Sequence, residues 1–127
     1  MASELRVTTI ANNAGSESVN TTYVVNGSAK AWANHDASAS LDDSFNTSSI
    51  TDTGTGHYGL NFSSSMNNAD YIMSGSNLGS TADFATCPTS DGGAPTSSTM
   101  DYQMRNMSSV AATDQTHNRV LTHGDLA

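Results

Sequence analysis

The stretch Ser44-Phe45-Asn46-Thr47-Ser48-Ser49-Ile50-Thr51-Asp52-Thr53-Gly54-Thr55-Gly56-His57-Tyr58-Gly59-Leu60-Asn61-Phe62 decides the fold. Phe45 to Asp52 and His57 to Phe62 are short runs in which apolar, aromatic and threonine side chains recur. Such side chains suit a pleated, half-buried surface. Between them stands Thr53-Gly54-Thr55-Gly56, whose glycines can supply the positive φ a tight reversal needs. Two strand-like runs around such a turn predict a β-hairpin.

Outward from the hairpin the same grammar continues. Leu5 and Val7 alternate with Arg6 and Thr8, which predicts a strand over Glu4 to Ile10. Tyr23-Val24-Val25 reads as a short strand stopped by Asn26-Gly27-Ser28. Ala29 to Asn34 alternates small residues with Lys30, Trp32 and Asn34, and His35 to Asp43 reads as a loop or weak strand. Tyr71-Ile72-Met73 opens a strand that Gly75 and Gly79 should break, and Asp83 to Thr86 is a further one. Cys87 to Thr99 holds both prolines and Gly92-Gly93, the signature of an exposed loop. Met100, Tyr102 and Met104 alternate with Asp101, Gln103 and Arg105 in a clear strand, and Asn118 to His123 is the last. Strands recurring about every 8–12 residues with no amphipathic helix predict an all-β chain. Its expected architecture is an antiparallel β-sandwich over residues 27–127 with an extended N-terminal arm over 1–26.

Composition narrows the function. Charged residues make up 13% of the 127, about half the usual share, and net charge is −8. With Lys30, Arg6, Arg105 and Arg119 as the whole cationic complement, there is no basic stripe for phosphates or an anionic membrane. Nucleic acid and membrane are therefore not expected partners. Leu, Ile, Val and Phe form only about 14% of the chain, a share at which a lone domain struggles to fill an interior. Strand alternation argues against disorder, so the expectation is an obligate oligomer whose copies complete one another. Trp32, Phe45, Ile50, Tyr58, Phe62 and Tyr71 are the expected core, with the Met100, Tyr102, Met104 strand supplying intersubunit contacts. The lone Cys87 cannot form an intrachain disulfide, and Met1-Ala2-Ser3-Glu4 lacks the features of a secretory signal. The chain reads as a complete product made in the cytoplasm.

The motifs Ala29-Lys30-Ala31-Trp32, Asn34, Ser44-Phe45-Asn46, Ser48-Ser49-Ile50-Thr51-Asp52, Gly54-Thr55-Gly56, Tyr58, Asn61-Phe62, Met66, Ala69 and Tyr71 together resemble a small β-domain of tailed phages. That domain is common at the ends of tail-fibre and related virion structural proteins. His123-Gly124-Asp125 and the strand around Met104-Arg105 are weaker echoes, and Ser3 to Ile10 is similar to an opening segment of the same proteins. His35 and His123 stand where the family usually carries an aromatic, and Asn67 where a proline is common. The resemblance implies a non-enzymatic structural protein of the virion, a homotrimer forming a capsid decoration, head fibre or short tail-fibre module. Its partners would be major capsid or tail proteins. Leu5, Val7 and Ile10 would dock it by adding a strand to a neighbouring sheet edge. The alternative is a tail-fibre tip that binds a receptor or host glycan, with Asp91, Thr96 and Ser98 as receptor-loop candidates.

Catalytic and metal chemistry find little purchase. Gly75-Ser76-Asn77-Leu78-Gly79 lacks serine at the centre of a nucleophile elbow. His35-Asp36, Asp42-Asp43, His57, His117 and His123 have no structural-zinc spacing, and Asp52-Thr53-Gly54-Thr55 lacks the later carboxylates of a calcium loop. An ion shared by three copies of His35 or His123 on a three-fold axis is the sharper metal reading. No catalytic residue, cofactor or metal is assigned. Trp32, Tyr58, Tyr71 and Tyr102 are candidates to stack on sugars, but in a chain so poor in apolar residues Trp32 is expected in the core.

Overall fold

The computed structural model describes residues 3–78, 84–88, 94–106 and 109–126, with 84–88 described by backbone alone. Asp91 and Gly79 lie outside the described residues. The described residues form antiparallel sheets with one short helix among them. Strands β1 (Thr9–Ala11) and β2 (Ser18–Asn20) pair as a small hairpin, with Ile10 opposite Val19. Helix α1 (Thr21–Gly27) follows at once. Strands β3 (Ala31–His35), β4 (Leu41–Phe45), β7 (Ile72–Leu78) and β10 (His117–His123) form one four-stranded sheet in the order β4-β3-β10-β7. Strands β5 (Thr47–Gly54), β6 (His57–Phe62), β8 (Phe84–Pro88) and β9 (Thr99–Asn106) form the other, in the order β5-β6-β9-β8.

The predicted hairpin is β5–β6. Its register pairs Ile50 with Leu60 and Asp52 with Tyr58, and it closes through Thr55 and Gly56. Gly56 has φ +68°, and a Cβ there would lie 2.5 Å from the Thr113 amide nitrogen. Only glycine satisfies both constraints. One residue, Asn46, separates β4 from β5 and carries the chain from one sheet to the other. It does so at φ 51°, a region asparagine tolerates better than most residues. Its side chain pins the corner, donating to the carbonyls of Lys30 and Ser64 and accepting from the Ser64 amide at 2.7 Å.

Four strand predictions are corrected. Tyr23 to Val25 lie in α1, because Asn20 accepts from the Thr22 amide and caps a helix in a segment with no third strand to pair with. The helix also spans the arm boundary expected at residues 26 and 27. Gly75 does not break β7: it sits in register with Val120 at mid-strand, paired to β10 along its length. Phe45, expected to open the first hairpin strand, instead ends β4, which begins at Leu41 within the stretch read as a loop or weak strand, after a turn held by the Asp36 carboxylate accepting from the Ser38 and Ser40 amides. β8 extends through Cys87 to Pro88, which ends an edge strand, where a residue without an N–H is tolerated.

The two four-stranded sheets share one apolar cluster. Ala31, Ala33 and Val120 come from the first; Ile50, Tyr58, Leu60, Phe62, Met100, Tyr102 and Met104 from the second; Met66 closes one end. Tyr71 packs against this cluster half-buried, its ring edge-on to Phe62 at 5.5 Å. Two core expectations fail. Trp32 is 36% exposed and Phe45 53% exposed. The interior facing β3 is already filled by large side chains of the second sheet, so the small Ala31 and Ala33 point inward and Trp32 points out. A third correction concerns Met100, Tyr102 and Met104: each is buried inside its own chain, so this strand has no apolar row left for a neighbouring subunit.

Candidate functional site

Alternation along a strand sends successive side chains to opposite faces. In β3 that rule puts Ala31, Ala33 and His35 inside and Trp32 and Asn34 outside. The register then builds two rows across the outer face of the first sheet. Phe45, Trp32, Leu121 and Ser74 stand side by side on β4, β3, β10 and β7. Asp43, Asn34, Arg119 and Ser76 form the adjacent row on the same strands. An apolar row thus lies beside a polar one. Ser74, Gly75 and Ser76 contribute little bulk on the β7 side, and a groove of about 470 Å³ opens there between Trp32, Asp43 and Arg119.

The polar groups of this groove are largely uncommitted. Asn34 Oδ1 is buried and has no hydrogen-bond partner. A buried acceptor in that state is rare enough to require a reason. Asp43 accepts from the Ser44 amide through Oδ1 at 2.8 Å, which leaves its second oxygen available. Among the described residues the Arg119 guanidinium has no hydrogen-bond or ion-pair partner, and the one ion pair there joins Arg6 to Glu4 on the arm. Exposed Ile72 and Leu78 extend the face along β7.

The opposite side of the same sheet is more heavily committed, although Asn118 Oδ1 there is also buried without a partner. His35 is wholly buried, donates through Nδ1 to the Asp36 carbonyl at 2.7 Å and accepts from the Tyr102 hydroxyl at Nε2 at 2.5 Å. The carbonyl can only accept, so it fixes the proton on Nδ1 and leaves Nε2 as the acceptor. Burial holds the His35 imidazole below its ordinary pKa, against the smaller opposing effects of the Asp36 carbonyl and nearby carboxylates. Burial also pushes the Tyr102 and Tyr58 phenols well above their ordinary range, with Asp114 adding to the shift of Tyr58. The Tyr58 hydroxyl reaches the Ala37 carbonyl and Asp114, the carboxylate that also takes the Gly56 amide at 2.6 Å. His35 therefore holds the two sheets together and is not available to an ion on a symmetry axis.

Of the four rings proposed to stack on a sugar, Trp32 alone is presented to solvent in reach of a groove. Tyr58 and Tyr102 are buried, and the half-buried Tyr71 donates to the carbonyls of Thr96 and Thr99. Thr96 and Ser98 are exposed but belong to a tied turn in which Thr96 Oγ1 accepts from the Ser98 and Thr99 amides. Leu5, Val7 and Ile10 are exposed on the arm. Asn34, Asp43, Ser74, Ser76 and Arg119 were not singled out from the sequence as a site. Their signal was present in phase: Asn34 shares a face with Trp32, and Arg119 shares one with Leu121. Which strands lie side by side is a matter of tertiary pairing. Comparison of the chain with family models, with curated proteins and with solved structures gives no match.

Proposed function

We propose that the chain is a non-enzymatic structural module of a tailed-phage virion: a β-sandwich displayed as a homotrimeric surface appendage by its N-terminal arm. One observation carries this reading. Leu5, Val7, Ile10, Val19, Tyr23, Val24 and Val25 are all exposed, and no residue of α1 is buried. A two-stranded hairpin and a seven-residue helix are not stable alone in water. A segment that spends this much of a scarce apolar supply outside its own domain is built to pack against other chains. The domain fills its interior from residues beyond the arm, so the shortage of apolar material falls on the arm. Three arms packing together, or an arm adding to a sheet edge of a capsid or tail protein, would supply the missing burial. The motif resemblance to virion β-domains points the same way.

The test is a size measurement paired with a particle census. The intact protein is expected to sediment at three times its 13.2 kDa chain mass, and a variant lacking residues 1–27 as a folded monomer. Quantitative mass spectrometry of purified particles should find the chain in copy numbers divisible by three. An intact protein that stays monomeric at micromolar concentration and is missing from particles overturns the proposal.

A further inference from the structure

We infer that the outer-face groove between β3, β10 and β7 is a saccharide-binding site, with Trp32 as the stacking platform and Asn34, Asp43 and Arg119 as the polar contacts. The inference goes beyond a structural role and does not depend on it.

The chain has a single tryptophan, and it stands outside the core at the edge of the groove. Leaving that ring uncovered in a chain so poor in apolar side chains gives up burial the fold could use. The geometry around it is that of a ligand site: a concavity of about 470 Å³, inside the range of roughly 300–1,000 Å³ usual for such sites, with an aromatic wall and a few convergent polar groups. Those groups are a carboxylate with a free oxygen, a guanidinium without a protein partner among the described residues, and an amide whose oxygen is buried and unsatisfied, a state it shares with Asn118 Oδ1 on the inner face. Acceptors and donors thus stand in one row beside an apolar ring. A pyranose matches that pattern, because it carries hydroxyls that donate and accept around its edge and C–H groups on its faces.

Other occupants match less well. The backbone of β3 and of β10 under the groove is paired on both sides, so a peptide strand could add only at the flanking edges, β4 and β7, and not across the groove itself. The net charge of −8 disfavours polyphosphates. A second copy laid on this face would desolvate the exposed Arg119 guanidinium, which costs free energy unless the partner supplies a carboxylate.

Because Trp32 is the sole tryptophan, intrinsic fluorescence of the intact protein reads the groove directly. The probes are glucose, galactose, N-acetylglucosamine, glucuronic acid and galacturonic acid, with oligosaccharides released from bacterial lipopolysaccharide and capsule. The expected result is a saturable blue shift with at least one of them, matched by calorimetry. Asp43→Asn and Arg119→Gln should each weaken binding about tenfold or more. Trp32→Ala, followed by calorimetry, should abolish binding while the melting temperature stays within a few degrees. Asp70→Asn, at an exposed position away from both the groove and the arm, should leave saccharide binding unchanged. A preference for the uronic acids would assign Arg119 to the carboxylate, and indifference would assign it to hydroxyls; both outcomes support the site. No saturable response to any probe by either readout overturns it. So does a Trp32 emission that shifts with protein dilution and not with saccharide, which would make the face a contact between copies.

Discussion

At the residue scale, the side chains that matter most are those with two constraints at once. Gly56 combines a positive φ with backbone contacts that a Cβ would violate, at the Thr113 amide and at the Met104 carbonyl 2.8 Å away. Gly56→Ala is expected to cost about 2–4 kcal/mol, read from urea unfolding. Gly54 also has a positive φ, but a Cβ there meets nothing within 4 Å, so Gly54→Ala should cost less than Gly56→Ala. His35 sets a pH dependence. Burial lowers its pKa below 6.5, so the folded state keeps it neutral while the unfolded chain takes up a proton as pH falls below that value. Its contribution is complete above about pH 6.5 and is lost on acidification. The melting temperature should therefore fall between about pH 7.5 and about pH 5.5, and Tyr102→Phe, which removes the hydroxyl from Nε2, should cost about 1–3 kcal/mol. Asp101 acts in the opposite sense at lower pH, because burial raises its pKa and its protonation favours the folded chain.

At the element scale, the corner between β4 and β5 and the arm behave differently. Asn46 is the whole of the connection between β4 and β5 and carries three hydrogen bonds from its side chain at a positive φ. Asn46→Ala should destabilise the domain by about 2–3 kcal/mol, whereas Asn46→Gly, which relieves the backbone, should recover part of that loss. The arm should respond to its surroundings. In a monomeric preparation the amides of α1 should exchange with solvent almost without protection, while those of β6 and β9 exchange with the global unfolding. Protection of α1 that appears only in the oligomer or on particles would locate the contact. Equal protection of α1 in an isolated monomer would show that the arm needs no partner.

At the scale of the whole molecule, the interior titrates as a unit at the alkaline end. Burial pushes the Tyr71 phenol up to about 12 and those of Tyr58 and Tyr102 further still. The unfolded chain ionises these groups near 10, so the folded state loses stability as pH rises above that value. In a Tyr23→Phe variant, which removes the exposed ring of the arm, tyrosinate absorbance should appear together with loss of the fold, and a gradual rise in a folded protein would contradict the packing described above. Much of this molecule is legible in the order of its residues alone. The β5–β6 hairpin follows from Thr-Gly-Thr-Gly, and the β9 strand from its alternation. These are local properties and require no knowledge of neighbours. Pairing decided the rest. A strand's period states which residues share a face but not which face is covered, so Trp32 could be assigned inward until Tyr58, Leu60, Tyr102 and Met104 were seen to occupy that space. A Val-Val pair reads as strand until no third strand is present and an asparagine cap makes a helix. The outer-face groove exists only because β4, β3, β10 and β7 lie in that order, which brings residues 43, 34, 119 and 76 into one row across chain separations that no local pattern records.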